Sequence, residues 1–292
     1  IYSGLDRTVC REKILNDLDK EGFLIKTEKY THTVGHCQRC SQVVEPLVSK
    51  QWFMQMEPLA QRALRAVETG AIRIVPEHFN RVYTNWLLNI RDWCFSRQLW
   101  WGHRIPVWYC PDCDAQIVEE EEPTQCNSCG SVEIYQDPDV LDTWFSSGLW
   151  PLSTLGWPEN TKDFSYFFPT SVMETGHDIL FFWVARMIML SLENVDEVPF
   201  RTIYLSGLIR DPQGIKMSKT RGNVLDPLQL IDTYGCDALR YAITVGNAPG
   251  SDTRLGPAKL EAARNFANKI WNAARFVIRS ICLLYTSPSP RD

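Results

Sequence analysis

A lysine-rich segment offers the clearest chemistry in the sequence. Lys216 and Lys219 bracket Met217-Ser218, and glycines lie close on both sides. An ammonium group on a flexible stem can follow a moving phosphate, and glycine gives a loop the freedom to close over a substrate. Positioned cations stabilise the negative charge that develops during nucleotidyl transfer. The segment therefore predicts a mobile phosphate-binding loop, with a solvated basic loop as the alternative.

A second segment predicts a nucleoside site. Gly176-His177-Asp178 stands where a strand-like run turns into an apolar stretch. Glycine lets the backbone approach a ligand, and a helix N-terminus offers unpaired N–H groups. The Asp178 carboxylate could accept hydrogen bonds from ribose hydroxyls, or it could only cap the helix. His177, taken alone, is more typical of a structural or surface histidine.

The cysteines indicate a metal site. Six of the ten fall in Cys-x-x-Cys pairs: Cys37/Cys40, Cys110/Cys113 and Cys126/Cys129. The second and third pairs are twelve residues apart, and two such turns facing each other form a closed, structural zinc site. Unligated thiols or a redox pair are the alternatives. The first pair has no neighbouring pair and makes half of a site.

Composition and hydrophobic spacing describe the elements that must position these residues. A hydrophobic fraction of 45% and a net charge of −5 are ordinary for a soluble protein and do not indicate a nucleic-acid binder. The most apolar stretch, 179–192, is too short to span a bilayer and predicts a buried helix. Periodicity and capping residues predict one strand and several helices. The strand covers 202–208, and the helices cover part of 5–30, 58–69, 80–91, 178–193, 226–244 and 258–281.

The two candidate segments resemble signatures of class I aminoacyl-tRNA synthetases. Residues 214–223 are similar to the KMSKS loop, with Thr220 in its last position, and Gly176-His177-Asp178 is similar to the ribose-binding element. The resemblance implies that Lys216, Ser218 and Lys219 hold ATP phosphates. It also implies an α/β fold: the second half of a Rossmann-type catalytic domain with an inserted zinc ribbon, followed by the start of a helical anticodon-binding domain.

The resemblance divides the chain into segments. They are the end of an editing domain (1–30), the catalytic half-domain (31–225, with the ribbon at 108–132), a stem-contact region (226–257), the start of the anticodon-binding domain (258–282) and a tail (283–292). The tail is expected to break the last helix and looks like translated vector sequence. The missing initial Met leads us to expect a fragment. A partner for Cys37/Cys40 is expected before the editing domain, as in some family members.

Longer stretches resemble the valine-specific members of the class. They cover 89–94, 96–109, 141–151 and 175–187. In those enzymes an aromatic and a branched aliphatic residue line the side-chain pocket, and Trp144 and Ile179 match them. Such a pocket excludes larger side chains but cannot strongly reject threonine, a limit for which the valine enzymes are the established example. The alternative is that both are ordinary core residues.

This resemblance implies an activity and its partners. The full-length protein, expected to be a monomer in the cytoplasm or an organelle without a membrane partner, would activate valine with ATP and Mg²⁺ and transfer it to tRNA(Val). A structural Zn²⁺ is also implied. An isoleucine enzyme and a non-catalytic RNA-binding derivative are the alternatives. The sequence contains no HIGH motif, which is a feature of the family's first catalytic half, so we expect no appreciable aminoacylation by this chain alone.

Overall fold

A computed structural model describes residues 2–37, 40–45, 48–218 and 222–286, with side chains as far as residue 281. The chain forms two compact units, residues 1–50 and 51–292. The helices are α1 (Arg7–Lys20), α2 (Glu57–Glu68), α3 (Phe79–Leu88), α4 (Thr143–Gly148), α5 (Trp150–Ser153), α6 (Lys162–Phe167), α7 (Arg186–Val195), α8 (Pro227–Tyr234), α9 (Cys236–Thr244) and α10 (Pro257–Thr286).

Twelve short strands accompany the helices in the described residues. They are β1 (Phe53–Met54), β2 (Arg73–Val75), β3 (Trp93–Cys94), β4 (Ser96–Arg97), β5 (Val107–Tyr109), β6 (Gln116–Val118), β7 (Tyr135–Gln136), β8 (Val140–Leu141), β9 (Thr170–Gly176), β10 (Phe200–Ser206), β11 (Ile209–Arg210) and β12 (Thr253–Arg254).

The first unit contains the predicted N-terminal helix. The Asp6 side chain accepts the N–H of Thr8 and begins α1, and Gly22, with φ +74°, follows its end. The unit continues to Lys50, and an editing-domain end at residue 30 stays a prediction.

A three-stranded parallel sheet organises the second unit. Its order is β2-β10-β9, and the register places Ser206 of β10 beside Gly176 of β9. Apolar side chains of β10 are fully buried, including Ile203 and Leu205, and α2, α3 and α7 contribute to the same core. β9 and β10 both end at the carboxyl edge of the sheet, and open α/β sheets bind ligands at that edge.

The apolar stretch after β9 differs from the single helix predicted over 178–193. A 3₁₀ turn at His177–Ile179 leads into a π-helix at Leu180–Ala185, and only then does α7 begin. Apolar periodicity does not distinguish these helix types, which is why the sequence missed them. π-helical turns occur frequently at functional sites.

The other helix predictions are confirmed with two corrections. The helix predicted over 226–244 is two helices, because Gly235 at φ +91° interrupts it between α8 and α9. The break predicted at residue 283 is wrong for 283–286, because α10 continues to Thr286; residues 287–292 lie outside the described part. Within the described residues, no helix is both long and apolar enough to cross a membrane.

A small β-sheet, β6-β5-β7, carries the second and third cysteine pairs. Asp137 fixes its base, since its carboxylate accepts the Trp52 indole N–H at 2.8 Å and the Tyr109 hydroxyl at 2.7 Å. Burial and this hydrogen bond raise the pKa of Tyr109 to about 12. The sheet extends to Gln136, beyond the predicted ribbon boundary at residue 132.

Candidate active site

The lysine segment begins as a hairpin after β11. The backbone of Lys216 bridges that of Arg210 in antiparallel fashion, and the Asp211 carboxylate accepts the N–H of Ile215 at 2.7 Å. Asp211 also accepts the Asn223 amide at 2.9 Å, and this hydrogen bond, opposed by burial, lowers the pKa of Asp211. The backbone N–H of Ser218 in turn donates to the Asn223 side chain at 2.9 Å. The loop is therefore anchored at both ends by polar side chains.

Gly176 has no room for a side chain. A Cβ placed there would lie 2.8 Å from the Asp178 carboxylate and 3.1 Å from the Leu208 side chain. The end of β9 thus packs directly against the connection that follows β10. Approach of a ligand to the backbone at this turn stays a prediction.

The two candidate segments meet in the folded protein. Nζ of Lys216 donates to Oδ2 of Asp178 at 2.6 Å, across 38 residues of sequence. The carboxylate of Asp178 faces the lysine loop, and the 3₁₀ turn beside it has no side-chain cap. The helix-capping alternative for Asp178 is therefore wrong. A cation and an acceptor stand together at the carboxyl edge of the sheet.

His177 is held from two sides. Its Nε2 lies 2.8 Å from Oδ1 of Asp252, and its ring stacks on Phe79 with centroids 5.5 Å apart. The second oxygen of Asp252 accepts Nε of Arg210. The sequence analysis missed Asp252 and Arg210, because neither stands in a recognisable motif.

The Asp252 carboxyl predicts a pH dependence of stability. Burial opposes its ionisation, but hydrogen bonds from Leu208 N–H, His177 and Arg210 outweigh burial and lower its pKa from 3.8 to about 2. Such a group stabilises the fold above its unfolded pKa, and the contribution disappears as pH falls through its folded pKa. We expect wild type to lose more unfolding free energy than Asp252→Asn between about pH 5 and pH 2, by on the order of 1 kcal/mol because solvent screens this largely exposed group.

Denaturant titrations over this pH range measure the difference. Asp237→Asn is the matched control, because Asp237 is largely exposed and its ion pair with Arg240 in α9 spans 3.7 Å. Parallel pH profiles for wild type and Asp252→Asn would contradict the expectation.

Trp144 stands in the first turn of α4. Asp142 caps that helix through the Trp144 N–H at 3.1 Å, and its other oxygen accepts Arg97 at 2.6 Å. The half-buried indole of Trp144 packs against Phe182, with ring centroids 5.9 Å apart. Ile179 ends the 3₁₀ turn three residues before Phe182 and is also half-buried. A pocket shared by Trp144 and Ile179 stays a prediction.

The second and third cysteine pairs form one cluster. Their four Sγ atoms lie within 4.8 Å of one another. The Sγ atoms of Cys110 and Cys129 are 3.5 Å apart, and those of Cys113 and Cys126 are 3.6 Å apart. Zn–S bonds of about 2.3 Å in a tetrahedron require sulfur separations of about 3.8 Å. The cluster therefore has the donor atoms and the size of a Cys₄ zinc site.

Backbone hydrogen bonds shape the turn that follows Cys126. The N–H of Cys126 donates to the carbonyl of Ser131 at 2.7 Å, and Gly130, at φ +76°, donates back to Cys126 at 2.8 Å. N–H groups of the same turn lower the pKa of the Cys126 thiol to about 6. The turn is preformed for a thiolate.

Described residues around the first pair, in the first unit, make two comparable backbone hydrogen bonds. Cys37 donates to the carbonyl of Gln42 at 2.8 Å, and Ser41, at φ +58°, donates to the carbonyl of Cys37 at 2.9 Å. A positive φ is uncommon for a non-glycine residue, and Ser41 adopts it while its N–H donates to Cys37. Among the described residues, Cys37 and Cys40 are not part of a group of three or more possible metal ligands.

A family model described as "tRNA synthetases class I (I, L, M and V)" matches residues 11–255. The chain belongs to the class I tRNA synthetases. This agrees with the α/β catalytic fold expected from the sequence. Of the residues that the class I resemblance assigned to phosphate binding, Lys216 and Ser218 lie in the anchored hairpin, while Lys219 lies outside the described residues.

Individual class I synthetases are similar over nearly the whole chain. The "Valine--tRNA ligase" of Dehalococcoides mccartyi is 64% identical over 279 residues, which are 96% of this chain and 32% of that protein. That of Thermotoga maritima is 56% identical over 280 residues. The chain thus spans about a third of the length of these curated relatives. A solved Mycobacterium tuberculosis methionyl-tRNA synthetase with methionyl-adenylate is 20% identical, with a TM-score of 0.62 over 87% of this chain and 44% of that chain, which shows a shared fold.

Proposed function

We propose that this chain is the ATP- and amino-acid-binding part of a valine–tRNA ligase. The contact between Lys216 and Asp178 carries the proposal, because it brings the lysine loop and the strand-end turn to one side of the sheet. The similarity to valine–tRNA ligases selects the amino acid. Two groups that could act on the phosphates and the ribose of one nucleotide are therefore adjacent.

The proposed reaction has two steps. The valine carboxylate attacks the α-phosphorus of ATP to form valyl-adenylate, and pyrophosphate leaves. A terminal adenosine hydroxyl of tRNA(Val) then attacks the activated carbonyl, and AMP leaves. Gly176, His177 and Asp178 seat the nucleoside, while Lys216, Ser218 and Lys219 hold the triphosphate. Mg²⁺, when bound with ATP, would neutralise part of the phosphate charge. Catalysis is positioning combined with charge stabilisation.

The ion pair at the site is suited to exchange partners. Lys216 is 60% exposed and Asp178 is 28% exposed. An exposed pair of this kind contributes only about 0–1 kcal/mol, so little free energy holds the lysine on the carboxylate. A bound triphosphate can accept the hydrogen bond of Lys216 in place of Asp178. The Asp178 carboxylate can then accept hydrogen bonds from ribose hydroxyls.

Trp144 and Ile179 are proposed to set the size of the amino-acid pocket. Replacing Ile179 by Ala enlarges the pocket, and a methylene in such a pocket is worth roughly 10–200-fold in discrimination. In a protein in which this chain replaces the aligned segment of the Dehalococcoides mccartyi relative, we expect Ile179→Ala to lower the kcat/KM preference for valine over isoleucine by about 10-fold or more. Ile243→Ala, at an exposed position of α9, is the control. An equal loss with both amino acids would identify Ile179 as an ordinary core residue.

The four-cysteine cluster is proposed to hold a structural zinc ion. Cys110, Cys113, Cys126 and Cys129 fill all four positions of a tetrahedral site, so no position remains for substrate. The ion would stabilise the small β-sheet around its short core of Trp108 and Ile117. Cys37 and Cys40 are proposed as half of a second site, supported by their spacing and by the backbone hydrogen bonds of Cys37 with Gln42 and Ser41.

The remaining domain assignments are also proposals. Residues 226–257 would contact the tRNA stem, and α10 would begin the anticodon-binding domain. Basic side chains follow α10: Lys259, Arg264, Lys269, Arg275 and Arg279. They are typical of a solvated helix face, and a surface for RNA phosphates is the alternative proposed with this domain assignment. A monomer in the cytoplasm or an organelle remains the expected form.

Amino-acid-dependent ATP–pyrophosphate exchange tests the proposed function. The chain replaces the aligned segment of the Dehalococcoides mccartyi relative, and this protein is called the chimaera below. Exchange that depends on valine is expected. Preference for isoleucine would favour the isoleucine enzyme, and RNA binding without exchange would favour the non-catalytic alternative.

A further inference from the structure

The Asp252 side chain joins three segments that lie far apart in sequence. Its Oδ1 lies 2.8 Å from Nε2 of His177 and accepts the backbone N–H of Leu208 at 2.8 Å. Its Oδ2 accepts Nε of Arg210. His177 follows β9, Leu208 connects β10 to β11, and Arg210 lies in β11. One carboxylate is therefore bonded to the strand-end turn and to the base of the lysine hairpin.

The backbone holds this carboxylate in place. A Cβ at Gly207 would lie 1.7 Å from the carbonyl oxygen of Ser251, so only glycine allows the two backbones to approach so closely. The N–H of Thr253 donates to the carbonyl of Leu208 at 2.9 Å, and β12 pairs in parallel with β11. The position of Asp252 is thus set by two fixed backbone segments.

Each partner of Asp252 is adjacent to a group that the proposed reaction uses. His177 precedes Asp178 in the chain, and the backbone of Arg210 bridges that of Lys216. We propose that Asp252 is a positioning residue for adenylate formation, which sets the distance between the Gly-His-Asp turn and the lysine loop by holding His177 and Arg210. This inference rests on the proposed function.

Asp252→Asn separates this role from simple packing. The asparagine has nearly the same shape and keeps one oxygen for the Leu208 N–H, but its NH₂ group cannot accept a hydrogen bond from Arg210. A misplacement of about 1 Å can cost roughly 100-fold in rate. In the chimaera we expect kcat for valine-dependent exchange to fall about 10–100-fold, with KM for valine changed less than about 3-fold.

A double-mutant cycle provides the sharper result. If Asp252 acts through Arg210, then Asp252→Asn combined with Arg210→Gln should lower kcat by little more than the worse single variant. Effects that multiply, or a rise in KM for valine without a fall in kcat, would overturn the proposal. Asp163→Asn, an exposed control in the first turn of α6, is expected to leave kcat unchanged.

Amide hydrogen exchange in this chain provides a readout that does not need catalysis. Asp252→Asn is expected to speed exchange at Leu208 and across 209–216, while Asp237→Asn leaves both unchanged. Unchanged exchange in Asp252→Asn would overturn the positioning role. A chimaera without valine-dependent ATP–pyrophosphate exchange would instead refute the proposed function. Amide hydrogen exchange would still decide whether Asp252 joins the Gly-His-Asp turn to the lysine loop.

Discussion

Lys216→Ala is expected to reduce kcat for valine-dependent ATP–pyrophosphate exchange by about 100–1000-fold in the chimaera. Losing one positioned charge-stabilising donor has about this effect on a transition state. The loss should fall on kcat and on kcat/KM alike, because the contact to phosphate strengthens as negative charge develops. Steady-state exchange rates over a range of ATP and valine concentrations measure both constants.

Folding should be almost unaffected by the same substitution. The ion pair of Lys216 with Asp178 is largely exposed and contributes only about 0–1 kcal/mol. Lys162→Ala is the matched control, since Lys162 is exposed in α6. Full exchange activity in Lys216→Ala would remove the lysine loop from the mechanism.

Removing one ligand of the four-cysteine cluster has the second large effect. We expect Cys126→Ser to lower the zinc content by one ion per chain and to unfold the small β-sheet. Structural zinc contributes about 10–16 kcal/mol of binding free energy in zinc-finger peptides, and the core of this sheet is too small to replace it. Atomic emission gives the metal content, and amide exchange over β5, β6 and β7 gives the unfolding.

Two comparisons make the metal result specific. Cys236→Ser alters an exposed thiol at the start of α9 and should retain the full zinc content. The double variant Cys37→Ser/Cys40→Ser tests the contribution of the first pair to the zinc content separately from that of the four-cysteine cluster. If Cys126→Ser kept its zinc and a protected β5, the cluster would not be a zinc site.

The sequence predicted the parts of the site that local patterns encode. The turn before Lys216, the strand leading to Gly176 and the four-cysteine cluster all follow from residue types at short spacing. Periodicity also located most helices. It could not identify the π-helical turn after Ile179, because apolar residues fill every face there.

Long-range pairing of side chains lay beyond the sequence. Asp252 reaches His177 across 75 residues, and only the β11–β12 pairing brings them together. Similarly, nothing near Asp178 indicates that its carboxylate meets Lys216. Gly235 was a local signal for the break between α8 and α9, but the helical spacing of apolar residues continues across it and favoured a single helix.

A crystal structure of the chimaera with ATP, Mg²⁺ and valinol, an unreactive analogue of valine, tests directly whether Asp178 and Lys216 bind one ATP molecule. We expect the ribose at Gly176 and Asp178, the isopropyl group against Trp144 and Ile179, and Nζ of Lys216 moved from Asp178 to a phosphate oxygen. ATP bound elsewhere while Lys216 remains on Asp178 would contradict the proposed role of both residues.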